Sequence, residues 1–130
     1  MGDHVHLITE AVDRKTLSSG MRSLDTRLAQ AINRALRRTG RVLAERYHAR
    51  ALRNPRETRN ALVYVLLNWR KHFDQRGVDP RSSGPWFDGW RHTEPITSAP
   101  SPVAAPGTWL LRTGWRDRGL IDPDRDAPRR

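Results

Sequence analysis

The stretch "NPRETRNALVYVLLNWRKHF", residues 54–73, constrains this chain more than any other. It carries a complete helix-start signal: Asn54 as N-cap, Pro55 at the first helical position and Glu57 three residues after the cap. The cap side chain accepts an otherwise orphaned amide, and proline gives up nothing where its missing N–H had no partner. At about 100° per residue, Leu62, Val65, Leu66, Trp69 and Phe73 fall within about 60° of Leu62 and define a face to be buried. Tyr64 lies at about 200° and Asn68 at about 240° from that reference, off the apolar stripe and one turn apart. An off-stripe tyrosine commonly just packs against a neighbouring element. The helix alone does not choose between that role and a reacting one.

Around this helix the pattern is mixed. Residues 3–9, "DHVHLIT", alternate and are rich in aliphatics, which predicts a short strand with His4, His6 and Ile8 on one face. Leu17, Met21, Leu24, Leu28, Ala31, Ile32 and Ala35 recur at helical spacing, with Thr16 as a start and Gly40 as a stop. "RYHARAL", residues 46–52, alternates enough to predict a second short strand. From residue 78 Pro, Gly and Ser become frequent, and Trp86, Phe87 and Trp90 are expected to pack onto the domain. "TWLLRTGWRDRGLI" predicts one more short helix, and the final "DPDRDAPRR" a disordered end. The expected division is therefore a partial domain over 1–77 and a Pro/Gly/Trp-rich extension over 78–130.

Charge narrows the partners. With 24 Lys and Arg against 14 Asp and Glu, nearly all the positive charge being arginine, the formal net charge is +10. Arginine's planar fork matches phosphate oxygens bidentately, and neutralising phosphates releases counterions, so a nucleic acid is the first expectation. The bland alternative is a coding bias toward arginine. Cysteine is absent, which excludes disulfides and thiolate metal sites. No apolar run approaches a membrane span and the N-terminus has no signal-peptide layout, so no membrane partner and a cytoplasmic location are expected.

Either half of the candidate site is weak alone, because a lone His-x-His is more often decoration than a metal site. Taken together, His4 and His6 can offer two nitrogens and Asn68 an oxygen to a divalent cation, with Tyr64 one turn from Asn68 and placed to attack a phosphorus centre. His4-Val5-His6 followed by "LI" resembles the HUH motif (His, hydrophobic, His) of single-tyrosine transposases, and "YVLLN" resembles their Tyr-x-x-x-Asn/Gln helix. "GRVLAERYHARAL", "YVLLNWRKH", "VDPRSSGPWFDGW" and "TWLLRTGW" are similar to segments of the REP-associated tyrosine transposases, a bacterial branch of the insertion-sequence transposases, so the resemblance covers essentially the whole chain.

That resemblance implies an α+β fold, an HUH-type domain with a ferredoxin- or RRM-like antiparallel sheet and helices on one face, followed by an irregular C-terminal tail. It implies nicking and strand transfer on single-stranded or hairpin DNA: Tyr64 attacks a backbone phosphate, forms a 5′-phosphotyrosine link and leaves a 3′-hydroxyl. His4, His6 and Asn68 would hold Mg²⁺ or Mn²⁺. Arg22, Arg34, Arg37, Arg38, Arg46, Arg50 and Arg53 would neutralise phosphates, and a homodimer is a further expectation. Tyr47 competes as nucleophile but stands no helical turn from a ligand. The sequence departs from the family at its front, where the histidines follow Met1 almost directly. The family places a strand and helix before them, so the expectation is either a start assigned to an internal codon or an N-terminally truncated or decayed copy, with the chain as given folding poorly or pairing with itself and inactive alone. The competing readings are a non-catalytic nucleic-acid-binding protein and a small protein whose Trp-rich segment docks on a partner.

Overall fold

A computed structural model describes residues 4–44, 46–71, 76–92 and 94–128. The described residues form three α-helices, α1 (Arg14–Ala35), α2 (Pro55–Leu67) and α3 (Trp109–Arg112), with 3₁₀ turns at Asn68–Lys71, Gly84–Trp86 and Gly114–Arg118. No β-strand occurs among them; one isolated parallel bridge pairs Trp90 with Ile121. This overturns the expected α+β fold with a ferredoxin- or RRM-like sheet. Residues 4–9, which hold the histidines, have no regular structure, and neither do residues 46–52. Two short alternating segments supply no ladder of partners, and an isolated strand pair is marginal at best, so alternation alone did not produce strands. Asp3 and Phe73, used in those expectations, lie outside the described residues.

The chain divides into two units, one of residues 1–8 with 52–130 and one of residues 9–51. The second unit is built on α1. Its N-cap is Asp13 and not the expected Thr16, because the Asp13 carboxylate accepts the Thr16 amide at 2.7 Å. That hydrogen bond holds the Asp13 carboxyl below its usual range. None of the 22 residues of α1 is fully buried. From Gly40 the chain returns along the helix, with the Asn33 amide donating to the Gly40 carbonyl at 2.9 Å and the Ser18 and Tyr47 hydroxyls 3.3 Å apart.

The first unit holds the core. The α2 start signal reads as expected: the Asn54 side chain accepts the Glu57 amide at 2.9 Å, and the Glu57 carboxylate reaches back to the Arg53 amide at 2.8 Å. Leu62, Leu66 and Leu67 from α2 are buried against Trp90, Trp115 and Ile121, with Thr58 buried one turn earlier. The aromatic segment is thus the other half of the core. Phe87 meets Trp90 edge-on at 4.9 Å and stacks on Trp115 at 5.6 Å, while the Trp90 and Trp115 indoles donate to the carbonyls of Gly84 and Leu111, both at 3.0 Å. Gly89 is required at its position, since a Cβ there would stand 2.4 Å from the Trp115 ring.

The C-terminal stretch expected to be disordered is tied down in its described residues. Arg59 of α2 donates to the Gly119 carbonyl at 2.8 Å, the Leu120 carbonyl at 3.0 Å and the Asp126 carboxylate at 2.9 Å. Arg70 reaches the Pro123 carbonyl and, at 3.4 Å, Asp124. Asp122 accepts the amides of Asp124 and Arg125, which holds its carboxyl below the usual range and shapes the turn that presents Asp126.

Leu67→Ala, which empties a site with no exposure, is expected to cost about 2–5 kcal/mol in denaturant unfolding, and Asn54→Ala about 1 kcal/mol. Acid should loosen the Asp13 cap. Its folded-state pKa is depressed, so the cap's contribution is complete above the ordinary carboxylate range and disappears as pH falls through the lowered value. Circular dichroism of wild type against Asp13→Asn, titrated from pH 6 to 2, should therefore show wild-type helicity falling toward that of the variant only at the acid end.

Candidate functional site

Packing places one face of α2 inside and leaves the other outside. With Leu62 and Leu66 committed to the core, Tyr64 has to project away from it, and it is 43% exposed. The same helix carries its partner at i, i+4: Asn68 is the C-cap of α2, half-buried, and its backbone N–H donates to the Tyr64 carbonyl. The expected stripe holds for Leu62 and Leu66, whereas Leu67, off that stripe, is fully buried and Val65 and Trp69 are half-buried.

The N-terminal segment reaches this face by one anchor. Ile8 packs against the core cluster, and two residues before it the His6 ring meets the Tyr64 ring edge-on, centroids 4.9 Å apart and planes at 79°. His4 follows along the same exposed segment, 6.4 Å from His6 with the rings nearly perpendicular. The structure therefore brings together Tyr64 and His6, with His4 next along the chain.

Among the described residues no three of His, Cys, Asp and Glu gather at a metal site, a set of residue types to which Asn68 does not belong. Imidazole and amide are suitable donor types for a divalent cation, and His4, His6 and Asn68 supply two of the first and one of the second. What this geometry does offer is a solvent-accessible phenol with an imidazole against its ring. A phenol is a weak nucleophile until an adjacent base takes its proton, and the His6 imidazole is in contact with the Tyr64 ring.

The arginines expected to meet phosphate are all exposed. Arg22 and Arg34 stand on α1, Arg37 and Arg38 follow its end, and Arg46 and Arg50 lie on the irregular return of the second unit. Arg53 belongs to the first unit, just before the α2 cap. Tyr47 is in the second unit with its hydroxyl beside Ser18 and no imidazole against its ring among the described residues.

Sequence reasoning missed Arg59 and Arg70. Arg59 lies on α2 and Arg70 on the 3₁₀ turn that continues it, both half-buried, but nothing in the spacing announced that they would hold residues 119–126. An open cavity of about 410 Å³ lies in the first unit among Val78, Arg91, His92, Ile96, Asp122 and Asp124, and includes none of the expected site residues. No described helix is long and apolar enough to cross a membrane. Comparison with family models, with curated proteins and with solved structures returns no match to this chain.

Ile8 is the anchor of His6, so Ile8→Ser should release the segment while leaving the α2 core in place. The His6 and Tyr64 ring resonances should then move toward random-coil shifts, with those of Trp115 changing little; an undisturbed His6 signal would show that Ile8 does not position it.

Proposed function

We propose that this chain is a transposase-derived protein that acts on single-stranded DNA, with Tyr64 as nucleophile. The observation that carries the reading is the pairing of an exposed tyrosine, on the outward face of a packed helix, with the His6 ring at 4.9 Å. The resemblance of "HVH" and "YVLLN" to the motifs of REP-associated tyrosine transposases supports it. In the reaction, the Tyr64 oxygen forms a bond to a backbone phosphorus and the bond to the 3′ oxygen breaks. The phenolic proton passes to a base, a role open to the His6 imidazole beside the ring, and the leaving oxygen takes a proton from solvent water to become a free 3′-hydroxyl. The 5′ side stays attached as a phosphotyrosine, and attack by a 3′-hydroxyl reverses the step.

The second unit favours a coarser reading, nucleic-acid binding without chemistry. Residues 9–51 contain ten Arg and Lys against four Asp and Glu, so six of the chain's ten net charges reside there. Spread over an exposed helix and its return, they suit a phosphodiester backbone.

One experiment separates the two. The chain is incubated with a labelled single-stranded hairpin oligonucleotide, with and without Mn²⁺, because the resemblance implies Mg²⁺ or Mn²⁺, and covalent adducts are resolved on a denaturing gel. Wild type should give an adduct that Tyr64→Phe abolishes, with affinity changed less than about twofold. Binding that weakens steeply with salt but yields no adduct under either condition would leave only the non-catalytic reading.

A further inference from the structure

α1 ends in a Schellman motif: the Arg38 amide donates to the Asn33 carbonyl at 2.9 Å and the Arg37 amide to the Arg34 carbonyl at 3.4 Å. The residue at the left-handed position of that motif is usually glycine and sometimes asparagine, because a longer side chain there crowds the backbone. Here it is Arg37, at φ +50°, although glycine is used three residues later at Gly40, φ +93°. The stop therefore holds a strained arginine where glycine would be comfortable. Strain of this kind persists where the side chain is wanted.

The surroundings say what for. From residue 26 to residue 44 the sequence has five arginines and no acid. Two of them are pinned by the backbone: Arg38 donates to the Arg41 carbonyl at 3.2 Å, and Arg41 to the Leu43 carbonyl at 2.8 Å. The Arg37 guanidinium has no hydrogen bond or ion pair among the described residues, and the side chain is exposed. A cation near a helix C-terminus also complements the helix dipole, but that role does not need position 37. Leu36, 67% exposed at φ −96°, would serve it without strain.

We propose that Arg37 is a phosphate-gripping residue, held at the end of α1 beside Arg34 and Arg38 to clasp the phosphodiester backbone of single-stranded nucleic acid. The inference rests on the reading that the chain binds such a strand, and it assigns the principal contact to one strained side chain. A planar guanidinium donates two parallel hydrogen bonds to phosphate oxygens, which a lysine or a neutral residue does not replace.

The test uses the full chain in four forms: wild type, Arg37→Gly, Arg37→Ala and Arg27→Ala, the last removing an arginine of α1 without touching the turn. Affinity for a fluorescent single-stranded oligonucleotide is measured from 50 to 200 mM salt, and thermal unfolding is followed by circular dichroism. Arg37→Gly should melt roughly 3–6 °C higher than wild type because the strain is gone, yet bind about tenfold more weakly. Its salt dependence, log K against log salt, should be shallower by about 0.7. Arg37→Ala should bind as weakly as Arg37→Gly without the gain in stability, and Arg27→Ala should lose no more than about threefold. The proposal is overturned if Arg37→Gly binds like wild type or like Arg27→Ala, or if it melts lower than wild type. Wild type that fails to bind even at 50 mM salt overturns the nucleic-acid reading itself, and this inference with it.

Discussion

Everything in the first unit depends on one face of α2 meeting Trp115. Trp115 is 1% exposed and Leu67 not at all. Hiding an indole of roughly 200 Å² is worth on the order of 5 kcal/mol in transfer free energy, a large share of what so small a core can supply. The contact fixes the rotation of the helix about its axis. Once Leu62, Leu66 and Leu67 point inward, Tyr64 points out, and no other side chain on α2 is both aromatic and exposed. Core packing and the position of the candidate nucleophile are the same fact seen from two sides.

The clasp of Arg59 and Arg70 on residues 119–126 extends that constraint. Arg59 satisfies two backbone carbonyls and a carboxylate from a site whose side chain is 16% exposed, so its charge is paired where it is least hydrated. Arg70 does the same more loosely against an exposed aspartate. The two arginines stand three turns apart on α2 and its 3₁₀ extension, so the chain end they hold runs alongside the helix and shields its inner face. A helix so braced presents its outer face as a fixed platform, which a nucleophile needs and a flexible loop does not give.

Local chemistry was legible in the sequence where it is self-contained. Asn54, Pro55 and Glu57 sit within four residues of one another, and the α2 cap forms as those residues dictate. Tyr64 and Asn68 share a helix, so their spacing translates directly into space. The two strands fail for the opposite reason: a strand is stabilised by partners elsewhere in the chain, and alternation at His4 to Ile8 says nothing about whether partners exist. The cap of α1 moved from Thr16 to Asp13 because both are competent acceptors and the apolar stripe does not mark the first turn. Residues 122–128 looked disordered by composition, yet Asp126 finds Arg59 sixty-seven positions away, a pairing no local window contains. The aromatics of residues 86–90 were expected to pack on the domain; that they complete its core follows from Trp115, which lies beyond any motif they belong to.

The central claim is that the outward face of α2 holds the Tyr64 ring against His6 while the inward face holds the core. Proton NMR through-space contacts test it directly. Cross-peaks between the Leu66 methyls or neighbouring core protons and the Trp115 indole report the inner face, and cross-peaks between the Tyr64 ring and the His6 imidazole report the outer. Both sets are predicted in one sample of the folded chain. Core cross-peaks without any between Tyr64 and His6 would contradict the claim, leaving a packed helix whose outer face does not hold the imidazole.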